Sequence, residues 1–190
     1  MIADQILSRL EFLHMKGFVH RDLKANNFMI GNSDKKNIIY IIDFGLAKRF
    51  TDPKTGAHII QKFNKSVMGT LRFCSLNATK GNESSRRDDI EGLGFMLAYL
   101  LRGGNLPWMG IRGGTNTERF KKISHIKEST SFDSLFDGFS DEFVNFMHVA
   151  RALLFEQKPN YDQLRSFFHN IIRFSIREKN EFMFDWLLKR

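Results

Sequence analysis

Two short polar runs, His20-Arg21-Asp22-Leu23-Lys24-Ala25-Asn26-Asn27 and Asp43-Phe44-Gly45, constrain this chain more than any other feature. Between them lie Phe28-Met29-Ile30, a polar stretch from Gly31 to Asn37, and the apolar run Ile38 to Ile42. Apolar and β-branched runs split by Gly, Asn, Ser and Asp predict a strand, a turn and a strand. The chain must therefore carry a short hairpin with a polar loop on either side of it. For chemistry, the loops offer carboxylate and amide oxygens from Asp22, Asn27 and Asp43, hard donors that suit a divalent cation. The structural alternative is a pair of turns capped by Asp and Asn, with His20 a satisfied core histidine.

Taken together, the runs resemble the protein-kinase signature H-R-D-x-x-x-x-N followed by D-F-G. Either triplet alone carries little weight, but both are complete, in order, and separated by strands. The resemblance implies phosphoryl transfer from ATP. Asp43 and Asn27 would then hold the Mg2+ ions that bridge the phosphates, and Asp22 would orient the attacking hydroxyl and accept its proton. Lys24, two residues beyond Asp22, would neutralise charge on the transferring group. His20, Arg21, Phe44 and Gly45 would shape the two loops.

With 190 residues, 42% of them apolar and 20 of them Phe, the chain can bury one sizeable core and does not read as disordered. A single cysteine, Cys74, excludes an internal disulfide framework and a Cys-rich zinc pattern. The expected location is intracellular, cytoplasmic or nuclear. Met1-Ile2-Ala3-Asp4 does not open a signal peptide, and the longest apolar run, Phe95 to Leu101, is too short to span a bilayer. The net charge of +8 favours acidic partners. Yet the basic residues are scattered in pairs such as Lys35-Lys36, Lys48-Arg49, Arg86-Arg87 and Lys121-Lys122, with no nucleic-acid motif around them. No specific nucleic-acid partner is expected.

Along the chain, Ile2, Ile6, Leu7, Leu10, Phe12 and Leu13 recur at helical spacing, and Lys16-Gly17 closes that helix. Phe18-Val19 reads as a strand entering the first polar loop. Lys48 to Lys65 is polar, without period, and reads as a long functional loop. Asp88 to Arg102 is apolar on almost every side, as a central buried helix would be, and Gly103-Gly104 ends it. Thr117 to Glu128, Asp141 to Phe155 and Asn160 to Ser175 are more amphipathic helices. Ser140 is placed to cap the second of these. The expected fold class is mainly α with a small β-hairpin: the C-terminal lobe of a protein-kinase-like fold over residues 1–187, with 188–190 as a tail.

One branch of the protein serine/threonine kinases, casein kinase 1, is resembled closely. It carries Ser-Ile-Asn where most kinases have Ala-Pro-Glu, and this chain has Ser75-Leu76-Asn77. Ser85-Arg86-Arg87-Asp88-Asp89-Ile90-Glu91, Leu106-Pro107-Trp108-Met109-Gly110 and Phe155-Glu156-Gln157-Lys158-Pro159-Asn160-Tyr161 are each similar to a family signature. That resemblance implies that Lys24 marks serine/threonine specificity and that Thr70 bonds to the Asp22/Lys24 pair. Met29 would lie under the adenine, and Asp89 would hold the loop by its backbone amides. It also implies a pocket for acidic or phosphorylated protein substrates, at Arg72 and Arg119 with Gly110 nearby. Ala25 and Asn26 differ from the family's proline and acid, and its lysine-rich run is thinned to Gly113-Gly114-Thr115-Asn116-Thr117-Glu118.

Only 19 residues precede His20, and they match a single helix of the large lobe. No Gly-rich phosphate loop or strand lysine of the V-A-I-K type occurs among them. The expectation is a large lobe without its small lobe, exposing an apolar face for a partner to cover. Two functions follow: an ATP- and Mg2+-dependent serine/threonine kinase, or a catalytically inactive large lobe that binds acidic or phosphorylated protein.

Overall fold

The computed structural model describes residues 1–112, 114–176 and 184–188. Its centre is the helix α3 (Arg86–Leu101), in which every residue from Asp88 to Ala98 is buried. The Asp88 carboxylate accepts from the Ser85 amide to start it, and Gly103 and Gly104, both at positive φ, turn the chain away at its end. Against it pack α1 (Ile2–Met15), through Ile6, Leu7 and Leu10, and α6 (Asp141–Ala152), through Phe146 and Met147. The α3–α6 approach is close enough that a β-carbon at Gly94 would collide with the Met147 sulfur. α7 (Tyr161–Ile176) lies against both α1 and α6. Buried side chains from all four helices form one core, so truncating Leu93 to Ala would cost about 2–5 kcal/mol.

The strands sit on one side of this helical body as two antiparallel pairs. β2 (Phe28–Ile30) and β3 (Ile39–Ile41) form the expected hairpin, in register Phe28↔Ile41, Met29↔Tyr40 and Ile30↔Ile39. β1 (Phe18–Val19) pairs with β4 (Lys48–Arg49). β4 falls in the stretch expected to be an unstructured loop, which is therefore corrected. A Thr51↔His58 bridge follows, and Asp52 Oδ1 accepts from the Lys54 and Thr55 amides to close the turn between them. These contacts come from residues outside the strand itself, so no local period announces them.

α4 (Asn116–Ser129) starts at a Thr115–Glu118 capping box. α6 starts where Ser140 accepts from the Glu142 amide, but it ends at Ala152, three residues before the expected end, because Leu153 turns extended. Two single-turn helices were not anticipated: α2 (Leu76–Thr79) and α5 (Phe132–Leu135), capped by Ser75 and Ser131. A further short helix, α8 (Asp185–Leu188), contains residue 188 of the expected tail; residues 189–190 lie outside the described residues. The architecture is mainly helical with two small antiparallel strand pairs, the class expected from the sequence. Among the described residues no helix is long and apolar enough to cross a membrane.

Candidate active site

The loop after β1 is held from behind by α3. Asp89, buried in the first turn of that helix, accepts from the His20 amide at 2.7 Å and the Arg21 amide at 2.9 Å. It also accepts from His14 Nε2 at 2.9 Å, while His14 Nδ1 meets the Tyr161 hydroxyl at 2.5 Å. Burial pushes Asp89 up, but the His14 bond and the two backbone bonds outweigh it and hold the carboxyl below its ordinary range. This anchoring keeps Arg21 at φ 68°, a left-handed conformation that a non-glycine residue seldom adopts unsupported.

Held this way, the loop turns Asp22 toward the segment that leads into α2. Asp22 Oδ1 accepts from the Thr70 amide at 2.8 Å and the Thr70 hydroxyl at 2.7 Å, and Oδ2 accepts from Lys24 Nζ at 2.6 Å. Burial raises its pKa, yet the bonds from Lys24 and Thr70 leave Asp22 below the usual carboxylate range, and Lys24 is raised in return, chiefly by that bond. The pair is therefore an ion pair. Gly69, at φ +81°, allows this approach, since a β-carbon there would strike the Arg21 carbonyl oxygen. Asn27 donates its amide nitrogen to the Asp22 carbonyl at 2.8 Å, which leaves its amide oxygen to face elsewhere.

The second polar run interlocks with the first. His20 Nε2 donates to the Ile42 carbonyl at 3.2 Å, and Phe44 packs edge-on to the His20 ring at 5.5 Å. Arg21 Nε donates to the Leu46 carbonyl at 2.7 Å. The Ile42 amide donates to the Asn27 carbonyl at 2.9 Å, so the hairpin brings Asn27 and Asp43 to the same end. Asp43, also left-handed at φ 61°, is exposed, with Oδ1 accepting from the Gly45 amide at 3.1 Å.

A loop so anchored, with one ion-paired carboxylate beside an amide and a second carboxylate, agrees with the family comparison. The model of the protein kinase domain matches residues 1–166. The chain belongs to the protein kinase family.

Protein kinases generally use ATP with Mg2+, and the oxygens of these loops are hard donors of the kind that ion takes. Among the described residues no three His, Cys, Asp or Glu side chains cluster, but Mg2+ bound with a nucleotide takes only one or two protein ligands beside phosphate oxygens and water. Asn27 and Asp43, at the same end of the hairpin, carry an amide oxygen and a carboxylate that could serve so. Met29 is 55% exposed on the hairpin, opposite Tyr40 in the strand register.

Arg72, Gly110 and Arg119 are not joined by any hydrogen bond or ion pair among the described residues. The Arg72 guanidinium lies over the Tyr99 ring at 4.9 Å, and its carbonyl accepts from Trp108 Nε1 at 2.8 Å, which seats the Leu106–Gly110 turn beside it. Gly110, at φ +73°, has open space over it, and Arg119 is exposed on α4.

Two residues that hold the site escaped the sequence reading. His14 carries the bond between Asp89 and Tyr161; its only sequence signal is a histidine on the buried face of α1. Lys127 is 1% exposed, with Nζ donating to the carbonyls of Leu71 at 3.0 Å and Cys74 at 2.5 Å, and to Thr79 Oγ1 at 3.3 Å. It also lies over the Phe95 and Trp108 rings. Burial pushes Lys127 down to about 8, and it ties the segment after Thr70 to the core. Its signal was its register, four residues after the buried Ile123.

Proposed function

We propose that this chain is an ATP- and Mg2+-dependent serine/threonine kinase of the casein kinase 1 type, acting on acidic or pre-phosphorylated protein. The observation that supports this best is the Asp22 carboxylate, held by Thr70 on one oxygen and Lys24 on the other, beside Asn27 and Asp43. Bound Mg2+ and ATP supply a neutralised phosphoryl donor. The chain's own residues orient the acceptor. Asp22 accepts a hydrogen bond from the substrate hydroxyl and takes its proton late, which suits a carboxylate held well ionised. Lys24 places positive charge beside that oxygen. Asn27 and Asp43 present hard oxygens at one end of the hairpin, and Met29 offers an apolar floor to the base. Arg72 and Arg119 are assigned to the acidic or phosphorylated side chain of the substrate, for which guanidinium forks are well shaped.

Calorimetric titration with ATP tests the nucleotide half of this proposal. Binding that requires Mg2+ and weakens at least ten-fold in Asp43→Asn is expected; equal binding by Asp43→Asn, or binding indifferent to Mg2+, overturns the ligand assignment. A second reading, an inactive lobe that binds acidic or phosphorylated protein, draws on the exposed apolar side chains of Met29, Ile30, Tyr40 and Phe44. It predicts phosphopeptide binding that ignores nucleotide and is lost in Arg72→Ala/Arg119→Ala, with no phosphoryl transfer under any condition.

A further inference from the structure

A cleft of about 480 Å³ opens between the end of α1, the turn after β4 and the start of α7. Four cations line it: Lys16, Arg49, Arg86 and Lys158. None of the four has a carboxylate partner among the described residues. The two acids on its wall are already engaged. Glu11 pairs with Arg165 at 2.6 Å, and Asp52 Oδ1 is taken by the Lys54 and Thr55 amides and the Thr55 hydroxyl.

The two guanidiniums are fixed rather than loose. Arg49 lies over Phe18 at 4.4 Å and Arg86 over Phe50 at 4.7 Å. Arg86 Nη2 donates to the Glu156 carbonyl, while its Nε is shielded from solvent and bonds nothing. Burial pushes Arg86 below its ordinary value, the mark of a charge that has lost water without gaining a counter-ion. α7 adds the positive end of a 16-residue helix at Tyr161. Four cations, a buried free N–H and a helix start exceed what one carboxylate can satisfy. A phosphate monoester, at about −1.5 to −2 with three strong acceptor oxygens, matches them. The volume falls within the range of about 300–1,000 Å³ usual for ligand sites.

We infer that this cleft is a second, regulatory site that binds a phosphate monoester through Lys16, Arg49, Arg86 and Lys158. Its floor is formed by His14 and Tyr161, the first links of the hydrogen-bond chain that runs through Asp89 to the His20 and Arg21 amides. A ligand seated on that floor therefore stiffens the loop that carries Asp22. The inference stands apart from the substrate site at Arg72 and Arg119, and the two fail separately.

The test is calorimetry with inorganic phosphate and with a phosphoserine peptide beside its unphosphorylated twin, together with amide exchange over residues 14–21. The expected results are binding whose Kd rises at least ten-fold in Arg49→Glu/Lys158→Glu, both exposed positions, and slower exchange at His20 and Arg21 on saturation. Lys16→Ala/Arg86→Gln, a variant without charge reversal, should show the same loss. Binding by both ligands identifies free phosphate as sufficient; binding by the phosphopeptide alone identifies a protein-borne phosphate. A Kd within two-fold of the parent in both variants, or exchange unmoved by phosphate, overturns the site. Loss of phosphate binding in Arg72→Ala/Arg119→Ala alone likewise overturns it, while leaving the substrate assignment intact.

Discussion

Replacing Asp89 by Asn removes one charge and almost no volume, and the structure sets the cost. The parent carboxylate accepts three N–H groups, from His20, Arg21 and His14. In Asp89→Asn the amide oxygen can keep the Arg21 amide, but the new NH2 group faces the His20 N–H, donor against donor. One buried N–H left without an acceptor costs about 1–3 kcal/mol. Exchanging a charge-assisted bond for a neutral one at Arg21 costs about 1 kcal/mol more. His14 can change tautomer and accept from the amide, so its bond adds little to the sum. The total is about 2–4 kcal/mol, a large share of the about 5–15 kcal/mol that holds a domain together. Urea unfolding at neutral pH should show this loss as a lower midpoint at unchanged slope. Amide exchange at His20 and Arg21 should quicken more than at the centre of α3. A loss below about 0.5 kcal/mol, smaller than one ordinary hydrogen bond, with unaltered exchange would refute the anchoring role.

Other perturbations address the neighbouring contacts. Thr70→Ala should cost about 1 kcal/mol through the lost hydroxyl bond to Asp22, measured by the same unfolding curve, and Thr70→Ser should recover it. Lys127→Met leaves two buried carbonyls and a hydroxyl without their donor and should destabilise by about 2–4 kcal/mol. Lys127 sits at about 8 in the fold against an ordinary 10.5. Between those values the unfolded chain holds a proton that the native chain largely does not, so parent stability should rise from pH 8 to 9 by roughly 1 kcal/mol. Unfolding curves of Lys127→Met should lack that rise. Burial pushes the Cys74 thiol up to about 11 from 9.0, so its labelling by iodoacetamide near neutrality should be about 100-fold slower in native than in urea-unfolded protein. Equal rates would place the thiol in solvent.

The fold and part of the site were legible because the deciding signals are local. The hairpin between Asn27 and Asp43 follows from apolar runs around a polar turn, and α3 from a run of apolar residues too long and too evenly spread for a surface helix. Asp22, Asn27 and Asp43 were named by the resemblance of their two loops to the kinase signature, which is a local pattern. What stayed hidden depends on partners far along the chain. β4 pairs with β1 some thirty residues back, and nothing in Lys48-Arg49 says so. Lys127 reads as one more basic surface residue until α3 and the segment after Thr70 close over it. His14 gains its meaning only from Asp89 and Tyr161, 75 and 147 residues away. Arg72 and Arg119 were named by resemblance, and the stacking of Arg72 on Tyr99 belongs to tertiary packing that no spacing encodes.

The most direct test of the central claim is transfer of labelled phosphate from ATP, with Mg2+, to a serine peptide rich in acidic residues. The account predicts transfer by the parent and a fall of about 10²–10⁴-fold in Asp22→Asn, the span expected for loss of a positioned proton acceptor. No transfer by the parent, or equal transfer by Asp22→Asn, would contradict it.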